Sequence, residues 1–214
     1  MSRPQPVNRR GPSIRRIVIV CSISAIAFSP GVLSARQATP SPTRDVPPPE
    51  LCRAKSPSFE EINRLMAASP RDRRATPEAT PGIVPSGPAA SADVVAGVTT
   101  TVRELVACFN AGELLRAYGL YTDAYLGHLL ARQGNVPRAS YDSLATPLPA
   151  APADRAAILS IASARIIAPG RIGATVTIDY TVIPVPKTFF FTFVQVEDRW
   201  LIDGILGEIS FSVP

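Results

Sequence analysis

Residues 108–126 read CFNAGELLRAYGLYTDAYL, and three tyrosines in this stretch, Tyr118, Tyr121 and Tyr125, recur at spacings of three and four. On a helix that spacing lines them along one face. Phenols so placed do one of two things. They close the edge of a core, with rings buried and hydroxyls reaching water or backbone, or they wall a pocket and orient a ligand by hydrogen bonds. Helical aromatic stripes favour the first reading. One turn beyond Tyr125 stands His128, the only histidine of the chain. A lone imidazole there reads as a boundary residue before it reads as a catalyst. No His-rich metal set, Gly-rich phosphate loop or Ser-His-Asp arrangement can be assembled, so no metal and no cofactor is expected.

The remaining reactive side chains are cysteines, and their meaning depends on where the chain goes. Arg3, Arg9, Arg10, Arg15 and Arg16 precede the apolar run IVIVCSISAIAF (17–28), which is followed by SPGVLSA. This is the layout of a signal peptide, with Ala35 placed for cleavage. The uncharged stretch 17–35 is also long enough to span a bilayer, so an uncleaved anchor is the alternative, though Pro30 and Gly31 weaken it. Arg9-Arg10 hints at twin-arginine export, but the following Gly-Pro-Ser fits that signal poorly. Cys21 follows bulky Val20, which argues against lipoprotein processing. Losing the leader removes Cys21 and leaves Cys52 and Cys108, a pair that reads as a disulfide in an exported chain. The chain is therefore expected outside the cell, released or tethered at its surface.

Charge supports no polyanionic partner. The formal charge is +5, but five of the 22 basic residues sit in the leader and the rest are matched by 17 acidic residues. Without a basic block the chain has no electrostatic motive for nucleic acid. Membrane contact is expected only through an uncleaved N-terminal segment.

The elements that must position these side chains begin late. Residues 1–35 are leader or anchor, and 36–55 a Pro-rich tether. In 56–69, Ser58 and Glu61 have capping-box spacing, and Phe59, Ile62, Leu65 and Met66 share a helical face. Residues 70–92 form a second Pro/Ala linker of disorder-type composition. The domain proper is 93–214. Ser91 or Asp93 caps a helix carrying Val94, Val95, Val98, Val102, Leu105, Val106 and Phe109, and Asn110 with Gly112 ends it. ELLRAYGLY is read as a second helix from Glu113. Thr122-Asp123 opens a third, running to Gly134, and a helical turn is expected around 140–144. Strands follow at 158–167, 171–183 and 187–196, with a fourth after the reversal EDR. In the second, Ile172, Ala174, Val176, Ile178, Tyr180 and Val182 alternate with polar or small residues. The third, KTFFFTFVQV, is apolar on both sides, as a central strand should be. Helices first and a strand meander after make the class α+β.

This order resembles the nuclear transport factor two-like superfamily, which includes the SnoaL-like polyketide cyclases and ketosteroid isomerases. The resemblance rests on the break CFNAG, the helix LLRAYGLYTDAYL and the closing hairpin VEDRWLIDGI, and covers about residues 93–209. It implies N-terminal helices packed in a strongly curved antiparallel sheet, a cystatin-like cone with an apolar pocket. Tyr118, Tyr121, Tyr125 and Trp200 are then the expected ligand contacts. Enzymes of this build use an acid–base pair inside the cone. Asp179 is excluded by alternation, and Asp123 is accounted for as a helix-start residue. Asp203 and His128 remain as weak catalytic candidates, each needing a helix tyrosine beside it. The resemblance also implies dimer contact through the sheet, with the Thr/Asp face at 175–181 as its surface. The leading expectation is a non-catalytic exported domain that binds a small apolar ligand or a protein partner. The alternative is a SnoaL-like isomerase, dehydratase or hydrolase.

Overall fold

The computed structural model describes residues 44–69, 85–131, 136–181, 183 and 185–208. The expected leader, the first part of the tether, most of the 70–92 linker and the expected helix stop at Gly134 lie outside these residues. Among these residues five α-helices precede four strands: α1 (Phe59–Ala68), α2 (Ala92–Ala111), α3 (Leu114–Tyr118), α4 (Asp123–Ala131), α5 (Arg138–Ala145), then β1 (Ala157–Ala168), β2 (Arg171–Asp179), β3 (Lys187–Val196) and β4 (Arg199–Glu208). The strands form one antiparallel sheet in the order β1-β2-β3-β4. The α+β class holds.

Local chemistry explains most boundaries. The Ser58 hydroxyl accepts the Glu61 N–H while the Glu61 carboxylate accepts the Ser58 N–H, so the capping box starts α1. Ser91, not Asp93, caps α2. That helix ends at Gly112, whose φ of 68° is left-handed and suits a residue without a Cβ.

Helices and sheet share one core. Val98, Val102, Leu105 and Val106 of α2 pack with Ile172, Ala174, Val176 and Ile178 of β2, Phe191 and Phe193 of β3, and Ile202 of β4. The alternation of β2 is as expected, with Asp179 on the other face, paired to Arg44 at 3.4 Å. β2 stops at Asp179 rather than 183, because the chain turns there with the Ile183 N–H donating to the Tyr180 carbonyl. Phe190 points to the opposite side of β3 from Phe191 and Phe193, yet is also buried.

Three expectations are corrected. First, α3 ends at Tyr118, and the chain leaves it through a turn at Gly119–Leu120 rather than continuing as a helix. Tyr121 bridges Ile202 in parallel register; the Ile202 N–H donates to the Leu120 carbonyl and the Thr122 N–H to the Ile202 carbonyl. This segment covers the β4 edge, whose backbone groups would otherwise be open. Second, part of the expected tether is laid against the domain. Asp45 exchanges two backbone hydrogen bonds with Ile158, and Cys52 is bonded to Cys108 across a sequence separation of 56. Third, the end of the expected second linker pairs with the β1 edge through Ala90 to Ala164 and Ile166 to Pro88. The disulfide is as expected, and it is a bond that an oxidising compartment permits.

Asn110 does not simply end α2. It is a helical residue with its side chain buried. Its Nδ2 donates to the carbonyls of Pro47 (3.2 Å) and Ala156 (3.1 Å), and its Oδ1 accepts the Ala156 N–H (2.8 Å). One amide thus ties the N-terminal segment, α2 and the start of β1 together.

Candidate functional site

The three tyrosines do not share a helix, but their rings meet. Tyr118 closes α3, Tyr121 lies in the segment bridging β4, and Tyr125 is on α4. The Tyr118 and Tyr121 centroids are 6.2 Å apart, and Tyr121 and Tyr125 meet edge to face at 5.5 Å. These are separations at which aromatic pairs attract. Tyr180, just beyond β2, lies near enough for its phenol to act on that of Tyr121. Burial pushes the Tyr121 phenol well above its usual range, and the neighbouring phenols of Tyr125, Tyr118 and Tyr180 push it further. Burial alone raises Tyr118 and Tyr180. The three therefore stay protonated at any neutral or mildly alkaline pH. Their chemistry is that of neutral hydroxyls, which donate to an oxygen and accept from a donor, but carry no charge. Tyr118, Tyr125 and Tyr180 are only partly buried and pack on the core, as do Phe189 and Ile205.

Asp203 does not stand as a free base. Its Oδ1 accepts the Thr122 hydroxyl at 2.9 Å, and its Oδ2 lies 2.5 Å from Arg171 Nη2. Thr122 Oγ1 also accepts the Tyr125 N–H, which makes it the cap of α4. One hydroxyl thus couples the start of α4 to β4, with Asp203 as a strut. His128 is partly exposed on α4, and among the described residues it makes no hydrogen bond or ion pair. Asp123 begins α4 as expected, 3.7 Å from Arg64.

Trp200 packs elsewhere. A Cβ on Gly97 of α2 would lie 2.4 Å from its ring, and its carbonyl accepts the Thr101 hydroxyl at 2.7 Å. It is a helix–sheet contact and is not among the rings that meet Tyr121. The Thr/Asp face satisfies much of itself, with the Thr177 and Thr188 hydroxyls 3.0 Å apart.

Among the described residues, two surface clefts lie away from the inner face of the sheet. One of about 260 Å³ runs beside α3 and α5, lined by Glu113, Arg116, Tyr141 and Leu144 among others. Three of its polar side chains are already engaged: Arg116 bonds Glu113 and the Cys52 carbonyl, and the Tyr141 hydroxyl donates to the Pro57 carbonyl. The other, of about 310 Å³, lies along α2. Among the described residues no His/Cys/Asp/Glu group is arranged to hold a metal. No helix among them is long and apolar enough to cross a membrane.

Sequence reasoning counted Tyr180 among the candidate residues and put it on the inner face by the alternation of β2, but did not include it with the three tyrosines as an expected ligand contact. It had no signal for the Asp203–Thr122 contact, which depends on a non-local pairing. Comparison with family models, with curated proteins and with solved structures finds no match for this chain.

Proposed function

We propose that the chain is an exported binding domain of the nuclear transport factor two-like build, without catalytic machinery, which takes a small apolar ligand against Tyr118, Tyr121, Tyr125 and Tyr180. The tyrosine cluster carries this reading. It offers partly open aromatic surface and phenols held un-ionised by burial, which suits an apolar body bearing a neutral oxygen. Catalysis by this cluster would need a base beside a phenol. Asp203, the leading carboxylate, has both oxygens committed to Thr122 and Arg171, which weighs against the SnoaL-like alternative. The disulfide supports export, since a cytosolic chain would hold these thiols reduced.

Native mass spectrometry of the protein recovered from an exporting host tests the reading. The expected species has lost its leader, retains the Cys52–Cys108 bond and carries one small apolar molecule. A full-length chain with free thiols and no bound molecule would overturn it.

A further inference from the structure

The cleft along α2 has an electrostatic character that the tyrosine cluster lacks. It is lined by Leu51, Arg53, Thr100, Arg103 and Glu104. Glu104 is nearly buried and spent: Oε1 accepts the Arg53 N–H and Oε2 the Arg199 Nη2, each at 3.1 Å. Arg103 Nε is 3.2 Å from Asp45 Oδ2, near enough for charge attraction. The angle is wrong for a hydrogen bond, so this buried nitrogen donates to nothing. Among the described residues the terminal nitrogens of Arg103 make no hydrogen bond, and the Arg53 guanidinium makes neither a hydrogen bond nor an ion pair. Arg53, Arg103 and Arg199 against Asp45 and Glu104 leave one positive charge in excess.

We infer that this cleft is a binding site for a small amphipathic monocarboxylate, with Arg53 and Arg103 holding the carboxylate and Leu51 the apolar chain. A guanidinium presents paired donors that match a carboxylate, and an excess of one charge suits a monoanion better than a phosphate dianion. The cleft of about 310 Å³ has room for about ten non-hydrogen atoms at the ~30 Å³ that each water occupies in the liquid. That is the size of a medium-chain fatty acid. The site is independent of the tyrosine cluster.

Octanoate is the probe and octanamide its neutral isostere, titrated into the disulfide-intact protein and followed by amide chemical shifts. Octanoate is expected to move Arg53, Thr100, Arg103 and Glu104 in a saturable way, with affinity falling as salt rises. Octanamide should leave them unmoved. Arg53 is exposed, so Arg53→Gln should fold normally and weaken octanoate by about tenfold, as loss of one charge-assisted contact implies. Arg103→Lys keeps the charge but not the fork, and should weaken binding as well. The inference fails if octanamide moves the same residues, or if Arg53→Gln binds octanoate like the parent. It also fails if octanoate moves only Tyr118, Tyr121, Tyr125 and Tyr180, an outcome that would leave the proposed function standing.

Discussion

Replacing Asn110 should be among the most damaging single changes, although the residue touches no candidate ligand. Its amide makes three hydrogen bonds, to Pro47 and twice to Ala156, and is 1% exposed. Asn110→Ala strands three backbone groups where water has little access. At about 1 kcal/mol for each net bond, and more where the orphaned group stays dry, the loss should be about 3–5 kcal/mol. That is a large share of the ~5–15 kcal/mol of a typical domain. Asn110→Asp makes a sharper test, because it preserves shape and inverts one function. Its carboxylate would face two carbonyl oxygens in a buried site, so both burial and repulsion would raise its pKa above the ordinary value near 4. A raised folded-state pKa means that stability is present at low pH and lost as pH rises through the folded value. The variant should therefore approach the parent near pH 4 and fall away toward neutrality. Urea denaturation of both proteins at each pH is the assay, the difference cancelling the acid losses they share. An Asn110→Asp deficit that does not change with pH, or an Asn110→Ala cost under about 1 kcal/mol, would falsify the clamp.

Three other outcomes follow from the same structure. Removing both cysteines opens a loop with a sequence separation of 56, for which chain entropy gives a loss of about 4 kcal/mol. Amide exchange should then rise first in residues 44–69, and a uniform rise across the sheet would contradict the staple. Gly127→Ala should cost about 1–3 kcal/mol, since its Cβ would sit 2.8 Å from the Leu65 carbonyl oxygen and 2.3 Å from Ser69 Oγ; unchanged thermal stability would mean that α1 does not pack there. Tyr118, Tyr121 and Tyr180 have raised phenol pKa values, so their contribution is intact below the unfolded value near 10 and lost above it. Ultraviolet absorbance should show their ionisation coinciding with alkaline unfolding, and ordinary titration of a still-folded protein would refute their burial.

What could be read from the sequence was what is local. The capping box at Ser58, the polar alternation of β2 and the Gly112 stop each depend on neighbours a few residues away, and each is found. The disulfide was legible because only two cysteines remain once the leader is set aside. The tyrosine spacing misled, since three-and-four periodicity fits a helix while the backbone of 120–122 is taken by the edge of β4. Pro-rich composition likewise concealed that residues near Asp45 and Ala89 pair with β1. Composition reports a segment's own preference and says nothing of a sheet edge waiting elsewhere in the chain. Asn110 was read as a helix stop for the same reason: its three partners lie far away in sequence.

The tyrosine cluster can be interrogated directly, because the chain has five tyrosines and the fifth, Tyr141, sits in the cleft beside α5. Ring-labelled tyrosine in the disulfide-intact protein should give five signals. Titration with a neutral apolar oxygen compound such as 2-octanone is predicted to shift Tyr118, Tyr121, Tyr125 and Tyr180 together, with Tyr141 unmoved. Five unmoved signals at saturating probe, or a shift confined to Tyr141, would contradict the account.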